Sequence, residues 1–257
     1  MAVTAAIEFD SVAYAYPDGV KALAGVSFAV GPGECVGLVG PSGAGKSTLA
    51  LALLGFIFPQ QGRIRVDGIE VTKKDLRTVR EKVGLIFQDP DNQLFMPTLF
   101  DDVAFGPLQH GIEGDELTRR VNAALAARGL LELADRFPGH LSGGQKRLAA
   151  LAGVLVMGPQ VLILDEPSSN LDPQARRALI NHLGSLPNTR LIAGHDLEMI
   201  LELCSRVILL DRGQVQADGE PDLILGDPRL MLGHGLEVPH SLLARAHTHD
   251  APRRRAR

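Results

Sequence analysis

Cysteine and aromatic residues are scarce in this 257-residue chain, which has two cysteines, two tyrosines and no tryptophan. Cys35 and Cys204 lie far apart in the sequence, each within an apolar segment. Two such residues cannot supply the framework of a disulfide-stapled domain, and they lack the close spacing of a zinc site. We therefore expect both to be reduced thiols in the core of a cytoplasmic protein.

Long hydrophobic runs and an excess of positive charge are also missing. The N-terminus, MAVTAAIEFDS, lacks the basic start and apolar core of a signal peptide. The longest apolar stretches, around 49–58 and 148–157, are shorter than the ~20 residues that a bilayer-spanning helix needs. A net charge of −4 gives no reason to expect nucleic acid binding. We expect one α/β domain with a subdomain, and no membrane crossing.

The sequence GPSGAGKST at 40–48 contains the pattern G-x-x-x-x-G-K-[ST] between an apolar, strand-like segment and a helix-like one. Glycines let backbone N–H groups approach phosphate oxygens, and the N-terminus of a helix adds partial positive charge. Lys46 is expected to reach the β- and γ-phosphates, and the Ser47 hydroxyl to hold Mg²⁺. The predicted phosphate loop comprises Gly40, Pro41, Ser42, Gly43, Ala44, Gly45, Lys46, Ser47 and Thr48.

Strand-like and helix-like segments alternate along the chain. Residues 63–71 predict a hairpin, and 83–87, 161–165, 190–195 and 206–211 predict buried strands. Amphipathic helices and proline breaks dominate from 89 to about 158. Strands that alternate with helices predict a parallel sheet wrapped by helices, with the helical stretch inserted between core strands.

Charged side chains end two of the predicted strands. Asp165 follows a buried strand and is placed to hold Mg²⁺, while Glu166 is the natural residue to deprotonate the attacking water. His195 ends another strand, where α/β proteins bind their ligands, and we expect it to contact the γ-phosphate.

The sequence LSGGQKR at 141–147 predicts a second anion site. A serine and two glycines directly precede a helix, so a hydroxyl, backbone N–H groups and a helix N-terminus converge. One nucleotide does not need two such sites from one chain. We therefore expect a head-to-tail dimer in which each copy completes the nucleotide pocket of its partner.

These motifs, in this order and at these spacings, resemble the ATPase subunit of ATP-binding-cassette transporters over residues 5 to about 235. The resemblance implies an α/β fold: a P-loop NTPase core sheet with an antiparallel β subdomain and an inserted helical subdomain at about 89–158. It implies ATP and Mg²⁺ as cofactors. It also divides the chain into an ATP-binding domain at 1–235 and a partly disordered C-terminal tail at 236–257.

The resemblance also implies roles for individual residues. Tyr16 would stack on adenine, Gln88 would sense Mg²⁺ and link to a membrane partner, and Asp172 would lie at the dimer seam. Each has a plainer alternative: an edge-strand aromatic, a solvated loop glutamine, and a helix cap ahead of Pro173. Catalysis falls to Glu166, His195 and Gln88, and Mg²⁺ to Ser47, Gln88 and Asp165. The signature that contacts the partner's ATP comprises Leu141, Ser142, Gly143, Gly144 and Gln145.

Within that superfamily the chain resembles the ATPase of energy-coupling-factor importers, through YPDG at 16–19, FQDPDNQLF at 87–95 and AGVL at 152–155. HGLEVPHSL at 234–242 is more similar to the cobalt/nickel branch than to the vitamin branches. SSNLD departs from the residues expected in the vitamin-type subunits. The resemblance implies a homodimer or paralogous heterodimer at the cytoplasmic face of the membrane, with transmembrane coupling and substrate-binding subunits. A vitamin importer is the alternative.

Three other functions have weaker support in the sequence. TKKD at 72–75 fits a guanine-reading motif, but it comes too soon after Lys46 for a GTPase. Non-transport relatives that act on DNA or ribosomes carry a long coiled-coil insertion or a second cassette, and this chain has neither. Four histidines after residue 230 are irregularly spaced, which disfavours a metal site. These are His234, His240, His247 and His249.

Overall fold

Strands and helices alternate along residues 4–243, which are the residues that the computed structural model describes. The strands are β1 (Ile7–Ala15), β2 (Lys21–Val30), β3 (Cys35–Val39), β4 (Gln61–Val66), β5 (Ile69–Glu70), β6 (Val83–Ile86), β7 (Val161–Asp165), β8 (Thr189–Ala193), β9 (Arg206–Asp211) and β10 (Gln214–Gly219). The helices are α1 (Lys46–Leu53), α2 (Leu76–Lys82), α3 (Leu99–Gln109), α4 (Gly114–Ala126), α5 (Gly143–Leu155), α6 (Pro173–Gly184), α7 (Leu197–Leu203), α8 (Pro221–Leu225) and α9 (Pro228–Gly233).

The core sheet has six strands in the order β10-β9-β3-β8-β7-β6. All neighbours pair in parallel except β10, which is antiparallel to β9 at one edge. Every residue of β3 and β8 is buried, as expected for parallel strands covered by helices on both faces. The predicted parallel sheet is confirmed, and its topology brings the loops after β3, β7 and β8 to one edge.

A smaller antiparallel sheet, in the order β2-β1-β4-β5, packs on the core sheet. The rings of Phe9 and Phe28 stack with their centroids 4.7 Å apart. Both rings belong to the same hydrophobic cluster as Leu49 and Leu53 of α1, so this sheet is fixed to the helix that follows the phosphate loop. The predicted antiparallel subdomain and the hairpin of residues 63–71 are confirmed.

Helices α3, α4 and α5 lie between β6 and β7 and have a hydrophobic cluster of their own. Leu99 and Val103 of α3 pack there with Leu125 of α4 and Ala149 of α5. Further along α5, Leu151 belongs instead to the cluster of the core sheet. The helical insertion is therefore attached to the core through α5, the helix that begins at the predicted signature.

The first residues of the predicted tail pack on the core. Leu236 is buried among core residues, and the backbone N–H and hydroxyl of Ser241 donate to the Glu198 carboxylate at 3.0 and 2.7 Å. The Arg-rich end, with His247 and His249, lies outside the described residues. The division of the chain at residue 235 stays a prediction.

Cys35 and Cys204 are buried and free, as expected. Their sulfur atoms lie 3.7 Å apart, a contact that a separation of 169 residues conceals. Across residues 4–243, no group of three or more His, Cys, Asp or Glu side chains could hold a metal ion. Over the same residues, no helix combines the length and apolar character required to cross a membrane.

Candidate nucleotide site

A cavity of about 550 Å³ opens at the edge of the core sheet where β3, β7 and β8 end. Twelve of the predicted site residues line it: Tyr16, Ser42, Gly43, Ala44, Gly45, Lys46, Ser47, Thr48, Gln88, Asp165, Glu166 and His195. Val20, Ala22 and Ser169 also line the cavity, and none of them was predicted as a site residue.

The predicted phosphate loop connects β3 to α1, and its backbone excludes side chains at two points. Gly40 and Gly45 have φ angles of 154° and 108°, which favour glycine. A Cβ atom would lie 2.0 Å from the Leu210 carbonyl oxygen at Gly40, and 2.5 Å from that of Ala22 at Gly45. Among the described residues, no side chain caps the first turn of α1, so its backbone N–H groups are available to bind an anion.

Lys46 occupies the first position of α1 and is only 7% exposed. Its ammonium group donates to the carbonyl oxygens of Gly40 at 2.6 Å and Pro41 at 3.1 Å. Burial lowers the pKa of Lys46, while the nearby carboxylates of Glu166 and Asp165 oppose that change. The loop therefore holds a buried cation whose remaining donor capacity suits phosphate oxygens.

The Glu166 carboxylate is held by His195 from two directions. The backbone N–H of His195 donates to Glu166 Oε2 at 3.2 Å, and His195 Nε2 lies 3.3 Å from Glu166 Oε1. The histidine side chain is 48% exposed, whereas that of Glu166 is 14% exposed. This places a shielded base beside an accessible imidazole in the cavity that contains Lys46. The sequence predicted both residues at the site, but not their direct contact.

Three oxygen-bearing side chains suited to Mg²⁺ share the cavity. They are the Ser47 hydroxyl, the Asp165 carboxylate and the Gln88 amide. Magnesium prefers oxygen ligands and is usually bound through one or two carboxylates together with substrate phosphates. The donor set therefore fits the predicted Mg²⁺, which would neutralise phosphate charge when bound.

Tyr16 lines the cavity beside the phosphate loop. Its hydroxyl lies 3.1 Å from Thr48 Oγ1, and its ring meets that of Tyr14 edge-on at a centroid distance of 5.2 Å. The tyrosine is thus tied to α1 through a threonine that the sequence assigned to phosphate binding. Its position suits the predicted stacking on adenine.

The predicted signature caps α5. Ser142 Oγ accepts from the backbone N–H of Gln145 at 3.3 Å, and Gln145 Oε1 accepts from that of Ser142 at 2.9 Å. This reciprocal capping box leaves the serine hydroxyl hydrogen available to an anion. Ser142 and Gly143 are exposed, but within residues 4–243 neither belongs to the lining of the nucleotide cavity.

Two of the predicted site residues make contacts within the fold and do not line the nucleotide cavity. Leu141 is buried among apolar residues of the helical insertion, so its side chain is unavailable to nucleotide. Asp172 caps α6, since its carboxylate accepts from the Ala175 backbone N–H at 2.8 Å ahead of Pro173. The helix-cap alternative thus describes what Asp172 does within one copy, and its role at a dimer seam stays a prediction.

Comparison with known proteins gives consistent matches. The family model for "ABC transporter" matches residues 23–169, more than half of the chain. A relative from Gloeobacter violaceus, named as an ABC transporter ATP-binding protein, is 53% identical over 231 residues, which cover 89% of this chain and 95% of the relative. The energy-coupling factor transporter ATP-binding protein EcfA of Carboxydothermus hydrogenoformans is 43% identical, covering 91% of this chain and 87% of EcfA.

A solved structure is similar over nearly its whole length. CbiO1 from Clostridium perfringens, described as part of the ABC transporter complex cbiONQ, superposes with a TM-score of 0.81 at 34% identity. The match covers 95% of this chain and 99% of that one.

Substitutions at Lys46 and Glu166 should separate nucleotide binding from hydrolysis. Lys46→Ala should abolish tight ATP binding, because the lysine neutralises phosphate charge in the ground state. Glu166→Gln should retain binding but lower the hydrolysis rate by about 10²–10⁴-fold, the usual contribution of a general base. Protection from thermal unfolding by ATP and phosphate release measure the two effects.

Lys73→Ala is the matched control, since Lys73 belongs to TKKD and contacts the Phe58 ring. It should leave ATP binding unchanged. The protection from thermal unfolding by ATP relative to that by GTP should also stay as in the wild-type protein. Hydrolysis at a near wild-type rate by Glu166→Gln would show that another group is the base.

Proposed function

The chain belongs to the ABC transporter family, and from that premise we propose that it powers import of a transition-metal ion, cobalt or nickel, as the ATPase of an energy-coupling-factor system. ABC transporter ATP-binding proteins hydrolyse ATP to power transport, so ATP hydrolysis is the activity of this chain. The observation that carries the ATPase part of the proposal is the separation of two helix N-termini suited to anions, those of α1 and α5, onto different surfaces of one chain.

Within the nucleotide cavity, each group has a distinct task. Lys46 and the backbone N–H groups of its loop neutralise and orient the β- and γ-phosphates. Glu166 accepts a proton from the attacking water, and His195 holds that carboxylate while its exposed ring contacts the γ-phosphate. Ser47, Asp165 and Gln88 would hold Mg²⁺, which would supply further charge neutralisation when bound.

The signature helix requires a second copy of the chain. Ser142 and Gly143 are exposed at the start of α5, outside the lining of the cavity that contains Lys46, as far as the described residues go. A head-to-tail dimer places each signature on the γ-phosphate bound by the other copy. Since one chain carries both half-sites, a homodimer is sufficient, although a paralogous partner would serve equally.

Ser142→Arg should prevent ATP-dependent dimerisation, because the arginine fills the space for the partner's γ-phosphate. The test uses the Glu166→Gln background with ATP and Mg²⁺, where arrested hydrolysis favours the closed dimer, and measures mass by light scattering. Ser185→Arg is the control, since Ser185 is another exposed serine, at the end of α6. Dimerisation of the Ser142→Arg protein on ATP would contradict the head-to-tail arrangement.

A groove between Gln93 and α3 is suited to a membrane subunit. A cavity of about 170 Å³ there is flanked by Phe95 and Phe105, which are 63% and 40% exposed and meet edge-on. Asp102 Oδ1 accepts from two backbone N–H groups, but Oδ2 is buried with no partner among the described residues. Burial raises the pKa of Asp102. Aromatic side chains around a carboxylate favour an arginine from a coupling helix.

Four carboxylates that lie close together in the sequence, Asp89, Asp91, Asp101 and Asp102, predict an acidic groove between Gln88 and the helical insertion. Asp89 caps its own turn by accepting from Asp91 N, and Asp91 pairs with Lys146 at 2.7 Å. Asp101 accepts from the Thr98 hydroxyl. All four carboxylates thus have local partners, since Asp102 Oδ1 accepts from two backbone N–H groups, and the groove beside Phe95 is largely apolar with one acid.

Phe95→Glu should lower transport and co-purification with membrane subunits while sparing ATP hydrolysis by the isolated chain. The added carboxylate places charge in an apolar surface without reaching the nucleotide cavity. Phe56→Glu is the matched control, because Phe56 is 57% exposed and lies outside the groove, against Arg80. Equal loss of hydrolysis and transport in Phe95→Glu would place this surface in the nucleotide site instead.

The choice of cargo is supported by two likenesses. HGLEVPHSL at 234–242 resembles the cobalt/nickel branch, and the chain is 34% identical to CbiO1 over 99% of that structure. The likeness to EcfA proteins keeps a vitamin importer as the second candidate. In either case the chain works at the cytoplasmic face of the membrane, and the cargo passes through its membrane partners.

Cells that carry the whole system should accumulate labelled cobalt or nickel, and a Lys46→Ala subunit should abolish that uptake. Cells that express the membrane subunits alone give the background. Uptake of a vitamin with no accumulation of metal would overturn the cargo and leave the ATPase assignment in place.

A further inference from the structure

Arg147, on the second turn of α5, is the largest fully buried side chain in the described part of the molecule, at 2% exposure. Its guanidinium reaches across to two other segments. Nη1 donates to the Phe87 carbonyl oxygen at 2.6 Å, and Nη2 donates to that of Gln88 at 2.7 Å. Nη2 also lies 3.5 Å from the Ser169 carbonyl oxygen.

This cation is buried without an ion pair to any described residue. Burial lowers the pKa of Arg147, opposed by the charge of Asp89, yet an arginine side chain remains protonated. Burying a charge is unfavourable unless polar groups compensate it; here backbone carbonyl groups accept from both terminal nitrogens, while Nε is buried with no partner among the described residues. An apolar side chain of similar length would fill the same volume without that penalty.

The segments that Arg147 joins contribute to two different nucleotide sites of the proposed dimer. Gln88 and Ser169 line the nucleotide cavity of the same chain. Arg147 itself follows Ser142 by little more than one turn of the helix whose N-terminus faces outward. One guanidinium therefore connects both loops of one cavity to the anion site offered to a second copy.

We propose that Arg147 is a positioning residue that ties the Gln88 loop and the Ser169 turn of one nucleotide site to the signature helix that completes the site of the partner copy. The inference rests on the proposed head-to-tail dimer. Arginine is suited to this task because its planar fork donates to two carbonyl oxygens at once. Lysine keeps the charge but presents a single nitrogen on a flexible stem, so it cannot hold both loops in a fixed relation.

Arg147→Lys should separate ATP binding from cooperative hydrolysis. ATP affinity of the monomer should stay within about twofold, since the phosphate loop is untouched, while kcat falls about tenfold through loss of charge-assisted hydrogen bonds. The Hill coefficient for ATP should fall toward one. Arg147→Gln, a neutral side chain of smaller desolvation penalty, should show the same pattern if the lysine variant folds poorly.

Arg190→Lys is the matched control. Arg190 is 8% exposed, donates to the Leu183 carbonyl oxygen, and lies near the start of β8, at the opposite end of that strand from His195. It should lower the melting temperature without changing kcat or the Hill coefficient at temperatures where the protein is folded. If Arg147→Lys and Arg147→Gln behave like Arg190→Lys, with a lower melting temperature but an unchanged kcat and Hill coefficient, then Arg147 is only structural and the proposal is wrong.

Dimerisation in the Glu166→Gln background distinguishes failure of this inference from failure of the dimer. Glu166→Gln alone should dimerise with ATP and Mg²⁺, and adding Arg147→Lys should weaken that association at equal nucleotide occupancy. Dimers of equal stability in both proteins would overturn the role of Arg147 and preserve the head-to-tail arrangement. No dimer in either protein would remove the premise itself.

Discussion

The parallel pairing of β3, β8 and β7 is the constraint on which the nucleotide site depends. In this order, the phosphate loop after β3 and the acids after β7 flank His195 after β8. Each strand is short and almost completely buried, so its position along its neighbours is fixed by apolar packing. A shift of one residue in β7 would turn Glu166 away from His195, because successive side chains point to opposite faces.

The same packing keeps the two predicted anion sites of one chain apart. The helical insertion has its own apolar cluster and reaches the core sheet mainly through α5. The N-terminus of α5 therefore faces outward, whereas that of α1 faces the cavity of its own chain. Two anion sites held at separate surfaces cannot close on one nucleotide without a large rearrangement of buried residues. In the proposed head-to-tail dimer, a second copy would supply the other anion site without such a rearrangement.

Local pattern predicted the parallel core sheet, the phosphate loop and the strand-end residues of the cavity, because each signal was carried within one short segment, whereas Tyr16 and Gln88 were predicted only through the family resemblance. β7 and β9 have the predicted bounds, and the phosphate loop lies between the expected strand and helix. Contacts between distant segments could not be read in this way. The Tyr16–Thr48 pair, the two cysteine sulfur atoms and the bridge from Arg147 to the Gln88 loop depend on tertiary packing.

The backbone at Glu166 shows how packing between distant segments orients a side chain of the nucleotide cavity. Its φ of 48° lies in the left-handed region, which costs a residue other than glycine about 1–3 kcal/mol unless the surroundings fix it. Here the Glu166 N–H donates to the Ala193 carbonyl oxygen of β8, and its own carbonyl oxygen accepts from Ser169 N. The turn that orients the base is therefore held by β8 on one side and by Ser169 on the other. Because the Arg147 guanidinium also lies 3.5 Å from the Ser169 carbonyl oxygen, a displacement of α5 would reach the proposed base through that side chain and the backbone of this turn.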